Sequence, residues 1–153
     1  MIKIAYVGMS QNYDQPGDRR RFFGFSKYKK IKVENYNPNK EYDLIVLSQK
    51  ADLSYFVKKK FKNTKIIFDF VDAYLHEPVS LKTIFRGFIK YVTGQNKYLN
   101  LNYRKLIKSM CKKANHIICT TKKQKEKIKK YNKNVTIILD AHEQDTTYKN
   151  NFN

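Results

Sequence analysis

The chain of 153 residues carries 32 Lys and Arg against 13 Asp and Glu, a formal net charge of +19 at pH 7. Its length suits one domain with a real core, and a hydrophobic fraction of 41% with 12 Tyr and 10 Phe excludes a disordered basic tail. Five Gly and three Pro exclude a fibrous or linker-dominated chain. The Lys, Asn, Ile and Tyr balance is also what an AT-rich genome produces, so part of the charge need carry no function. Cys111 and Cys119 stand outside any C-x-x-C pairing and read as small buried thiols in a reducing compartment. The longest stretch without a charge, residues 4–13, is too short to span a bilayer, and the first residues lack the features of a signal peptide. The expected location is the cytoplasm, free or peripheral on the inner face of a membrane.

In chain order, the compact apolar run 2–7 ends at Gly8 as a buried parallel strand would. Residues 9–21 are polar, contain Pro16-Gly17 and read as a long loop. A weaker strand is expected over 31–34, then a turn at Asn37-Pro38-Asn39 and a uniformly apolar strand over 44–47. Leu53, Phe56 and Val57 have helical spacing, with the helix running toward Asn63, and residues 66–71 give a fourth strand. The period then changes to 3.6. Leu81, Ile84, Phe85, Phe88 and Ile89 make one apolar stripe after Ser80 as N-cap, and Tyr103, Leu106, Ile107, Met110, Cys111 and Ala114 make a second. Residues 116–119 read as a strand, Thr121-x-x-Gln124 as a capping box opening a surface helix, and 135–139 as the last strand.

Apolar strands separated by helices predict an α/β domain with a mostly parallel sheet of about six strands and helices on both faces. The domain is expected over residues 1–145, with a polar tail over 146–153. In such sheets the loops after strand carboxyl ends face ligands, which nominates residues 8–21, 48–52, 72–77, 120–124 and 140–144.

The first of these loops reads Gly8-Met9-Ser10-Gln11-Asn12, with neither G-x-G-x-x-G nor G-x-x-x-x-G-K-[ST]. A backbone cradle for a nucleotide diphosphate is not expected there. Asp69 lies inside a strand, where a charge must be hydrogen-bonded, and reads as a satisfied structural carboxylate capping a neighbouring loop. Asp72, at the strand end, reads as either a site residue or a turn residue. His76 and His142 each follow a strand end, where a general base or a solvated loop histidine both fit, while His116 reads as structural. The three histidines are too scattered for a metal set, and no metal or cofactor is expected. Arg19, Arg20 and Arg21 are three of the chain's five arginines. A planar guanidinium grips phosphate or carboxylate in two places, so this cluster reads as an anion contact or as helix-start charge with Asp18 as N-cap.

Between Glu77 and Glu126 no acidic residue occurs, and twelve Lys and Arg do. Lys82, Arg86, Lys90, Arg104 and Lys108 on the two amphipathic helices are expected to meet an anionic membrane. Nucleic acid draws on the same electrostatics, and a solvated face is the third reading.

Taken together, Pro16-Gly17-Asp18-Arg19-Arg20-Arg21-Phe22, Asp43-Leu44-Ile45-Val46-Leu47-Ser48 and Phe68-Asp69-Phe70-Val71-Asp72-Ala73-Tyr74-Leu75 resemble bacterial GT-B glycosyltransferases. The stretch from Cys111 to Gln124, with Cys119-Thr120-Thr121-Lys122-Lys123-Gln124 at its end, extends that resemblance over nearly the whole chain. It implies the amino-terminal, acceptor-side domain, a Rossmann-like three-layer α/β fold, with Gly8, Asp18, Arg19, Arg20, Arg21, Tyr74, Thr121, Gln124 and His142 binding substrate. Asp72 or His76 would be the base if configuration is inverted. The nucleotide-sugar donor would be held by a second domain or a separate subunit, so the chain is not expected to transfer sugar alone. The acceptor would be a membrane-associated or cell-surface glycan, or a lipid-linked one. The alternatives are a basic α/β nucleic-acid-binding protein and an inactive truncated remnant.

Overall fold

A computed structural model describes residues 2–71 and 81–139. One sheet holds six strands, β1 (Ile4–Val7), β2 (Glu34–Asn35), β3 (Leu44–Ser48), β4 (Lys65–Asp69), β5 (His116–Cys119) and β6 (Val135–Ile137). Their order is β2-β1-β3-β4-β5-β6 and every pairing is parallel. The fold is α/β, as the apolar runs predict. The chain leaves β1 toward β2 on one side, while β3 pairs with β1 on the other. The switch point of the sheet therefore lies between the carboxyl ends of β1 and β3.

Side-chain alternation along the strands separates two unlike layers. One face carries Ala5, Ile45, Leu47, Ile66, Phe68, Ile117 and Cys119, all buried in one apolar cluster. Against it pack α3 (Leu53–Lys58) through Leu53 and Phe56, α5 (Tyr103–Lys113) through Ile107 and Met110, and α6 (Lys122–Ile128) through Ile128. Each such side chain removed from water contributes about 1.5–3 kcal/mol. The opposite face carries Tyr6 and Asp69 and meets α1 (Pro16–Arg20) and α2 (Phe22–Tyr28). There Tyr6 donates to Asp18 at 2.8 Å, and Arg21 grips Asp69 through two nitrogens at 2.7 and 2.5 Å.

Several boundaries differ from the sequence expectation: β1 starts at Ile4, β4 runs from Lys65 to Asp69 and β6 ends at Ile137, and three larger differences stand beside these. Residues 9–21 are not all loop, because Pro16 opens α1 at a first-turn position where its missing N–H costs nothing. The second strand is only Glu34–Asn35, displaced from 31–34, at the edge beside β1. α3 stops at Lys58 instead of running toward Asn63, and the Lys113 ammonium donates to the carbonyls of Val57 and Lys59 at its end.

The two helices with 3.6-residue stripes also part company. On α5, Ile107, Met110 and Cys111 are fully buried. On α4 (Leu81–Val92), Phe85, Phe88 and Ile89 are exposed. The body meets α4 on another side: a Cβ added at Gly87 would lie 2.2 Å from the Asn100 carbonyl oxygen. Only glycine lets the 100–101 backbone approach so closely.

Candidate functional site

The loop after β1 closes on an internal anion. Asp18 is fully buried and accepts from the Met9 amide at 2.7 Å, the Ser10 amide at 3.1 Å and the Tyr6 hydroxyl. In dinucleotide-binding sheets the amides at this turn face phosphate. Here the Asp18 carboxylate occupies that seat. A Cβ added at Gly8 would meet the Tyr13 ring at 2.6 Å and Asp18 at 2.9 Å, so the space above the turn is already filled. Burial first, and then the bond to Asp18, hold the Tyr6 phenol far above its ordinary pKa, and burial pushes Tyr13 up to about 12.

The neighbouring arginines are also engaged. Arg21 and Asp69 form a buried, two-pronged ion pair, and Arg21 adds a 3.4 Å bond to the Ile138 carbonyl beyond β6. This fork ties α2, β4 and the end of β6 together, so the partner of Asp69 is a guanidinium rather than a neighbouring loop. Arg19 donates to the Asp14 carbonyl and Arg20 to the Pro16 carbonyl at 3.2 Å.

Thr121 and Gln124 join the carboxyl ends of β4 and β5. Thr121 caps α6 by accepting the Gln124 amide at 3.1 Å. Gln124 is buried; its amide nitrogen donates 2.9 Å to the Phe70 carbonyl while its oxygen accepts from the Thr120 amide at 3.0 Å. The capping box thus holds on the threonine side, and the glutamine serves the neighbouring strand instead of the cap. His116 bonds Thr136 at 2.9 Å across the β5–β6 pair, as a structural histidine would.

An open crevice remains at the switch point. A cavity of about 550 Å³ opens beside the carboxyl ends of β1 and β3, between Met9, Gln49 and Lys50 on one side and Lys90, Gln95, Asn96 and Tyr103 on the other. Among the described residues, no carboxylate lines it. Lys50 is exposed, and the Lys90 ammonium stands 5.6 Å from the centre of the Tyr103 ring. Tyr103 donates to the Gln49 carbonyl at 3.3 Å, fixing the wall where β3 ends. The far wall is held by Asp52, which caps α3 and also accepts the Lys97 amide at 2.7 Å, while the Ser54 hydroxyl accepts the Tyr98 amide at 3.1 Å. A crevice whose described lining holds amide side chains, two lysines and no carboxylate suits a phosphate-bearing ligand.

A larger depression of about 770 Å³, lined by Tyr36, Lys59 and Phe61 among others, lies at the amino ends of the strands, away from the ligand-facing edge. Among the described residues, no group of three or more His, Cys, Asp or Glu side chains is placed to hold a metal ion. Also among them, no helix is long and apolar enough to cross a membrane.

The structure brings Gly8, Asp18, Arg19, Arg20 and Arg21 together beside β1 and places Thr121 and Gln124 beyond β5. Asp72, Tyr74, His76 and His142 lie outside the described residues, as do the side chains of Lys82 and Arg86. Arg104 is exposed and Lys108 half-buried on α5, and Lys90 lines the crevice. Gln95 and Asn96 are crevice residues that sequence reasoning missed, and Tyr103 was read only as part of the α5 stripe. The strand-end rule did nominate 48–52, Gln49 included, but residues 94–101 carry no motif and dock beside the site through contacts that include Asp52 and Ser54. No protein-family model, curated protein or solved structure matches the chain significantly.

Proposed function

We propose that the chain is the acceptor-side domain of a GT-B-type glycosyltransferase, working at the cytoplasmic face of an anionic membrane. In this reading the crevice receives the phosphate end of a lipid-linked acceptor, and the nucleotide-sugar donor comes from a second domain or subunit. The observation that carries it is the crevice at the switch point, lined among the described residues by lysines and amide side chains and by no carboxylate, set beside a β1 turn whose amides are already taken by Asp18. The first offers a seat for an anion; the second leaves none for a donor diphosphate at the usual place. Asp72 or His76 supplies the base if the reaction inverts configuration, with Tyr74 and His142 contacting substrate.

The test uses geranyl diphosphate as a short acceptor analogue, titrated calorimetrically against the full chain, with UDP-glucose and a short DNA duplex in parallel. Geranyl diphosphate is expected to saturate one site, and Lys50→Ala to weaken it about tenfold, the loss of one charge-assisted contact. UDP-glucose is expected not to bind. Unchanged affinity in Lys50→Ala overturns the crevice. Preferential duplex binding with a steep salt slope replaces this reading with nucleic-acid recognition.

A further inference from the structure

The α4 helix sits on the body the opposite way round from an ordinary surface helix. Phe85, Phe88, Ile89 and Val92, spaced i, i+3, i+4, i+7, share one stripe and are 64%, 48%, 43% and 66% exposed. Among the described residues of α4, those turned inward are small or polar. Gly87 packs on the 100–101 backbone, and Lys90 lines the crevice beside Tyr103. Leu99 and Leu101, flanking the backbone that Gly87 touches, are exposed as well. An apolar patch this continuous on a chain of net charge +19 calls for a partner that is both apolar and negative.

We propose that this stripe inserts into an anionic lipid bilayer, with α4 lying in the plane of the interface. The acid-free window from residue 78 to residue 125 surrounds the stripe with positive charge, and Lys97, Arg104 and Lys105 are exposed within it. A second copy of the chain brings the same positive field and is repelled, whereas anionic headgroups are attracted at about 1 kcal/mol per Lys or Arg near the surface. Phe88 and Ile89 then leave water for the acyl boundary while the basic side chains stay among headgroups. The crevice adjoins the same helix, because Lys90 lines it from the inward side of α4. This inference rests on the peripheral-membrane part of the proposed function and not on its chemistry.

The chain has no Trp, so Phe88→Trp installs a lone reporter on the stripe and Tyr28→Trp, on exposed α2, a control. Each full-length variant is mixed with vesicles of phosphatidylcholine alone or with phosphatidylglycerol, including brominated acyl chains. With anionic vesicles, the Phe88→Trp emission is expected to shift to the blue and to be quenched by bromine, and Tyr28→Trp to do neither. Phe88→Asp is expected to lower partitioning about tenfold or more, by the apolar transfer it forfeits. Vesicle binding without a shift at position 88 overturns insertion while leaving the electrostatic contact. Loss of all vesicle binding overturns the membrane reading itself, and geranyl diphosphate titration without membranes then still decides the crevice. A concentration-dependent blue shift without vesicles overturns the inference in favour of a self-association face.

Discussion

α4 and α5 carry the same sequence signature and fold into opposite circumstances. Both show apolar residues at helical spacing and basic residues between them. On α5 the stripe faces the sheet, and Ile107 and Met110 join the cluster with Phe68 and Ile117. On α4 the described part of the stripe, Phe85, Phe88 and Ile89, faces away from the body. Periodicity therefore states that a helix has an apolar side; it does not state what covers that side. A stripe inside the sheet's reach is core, and one displaced beyond the sheet is an interaction surface.

Truncation gives the largest separation between the two helices. Met110→Ala removes a fully buried side chain and is expected to cost about 2–5 kcal/mol in urea unfolding. Phe88→Ala, on the outward stripe, is expected to stay within about 0.5 kcal/mol in the same assay. Equal losses at both positions would show that α4 is covered by its own chain and would remove the contrast.

Alkaline pH separates α5 by a second route. Burial pushes the Cys111 thiol up to about 12 from an ordinary value near 9, so the folded state keeps a proton that the unfolded chain gives up. Stability from this thiol is fully present below about pH 9 and is lost as pH rises toward about 12, at about 1.4 kcal/mol per pH unit. Between those limits, Cys111→Ala is expected to flatten the pH dependence of the urea midpoint by that slope. A profile with the same slope in both proteins would mean that the thiol reaches water.

The fold was far more legible than the site, for a physical reason. Strands such as β3 and β5 advertise themselves through continuous apolar runs, since a parallel strand is buried on both faces. The arginine cluster was legible as a cluster, but not its division of labour. Nothing local to Arg21 shows that its guanidinium reaches Asp69, 48 residues away on another element. Asp18 carries no sign that it fills an anion seat nine residues upstream at Met9. The crevice was the least legible part, because Lys50, Lys90 and Tyr103 line one cavity from separate elements, beside residues 94–102 docked onto α3. Such long-range contacts leave no period in the sequence.

That docking supplies the smallest expected effect and ties α4 to the body. Asp52 has two tasks: one carboxylate oxygen accepts the Ser54 amide at 3.0 Å and caps α3, and the other accepts the Lys97 amide at 2.7 Å. Asp52→Asn keeps an oxygen for the cap and presents an NH₂ where Lys97 needs an acceptor. Asp52→Ala removes both. The alanine variant is expected to lose about 1 kcal/mol or slightly more, and the asparagine variant about half of that. Amide hydrogen exchange is the discriminating measurement. In both variants the Lys97 and Tyr98 amides are expected to exchange faster, while Met110 and Cys111, inside α5, keep their protection. If exchange accelerates equally through α5, the segment joining the two helices is part of the core. If it accelerates only at residues 97–98, α4 is held by a tether distinct from the packing that buries its neighbour.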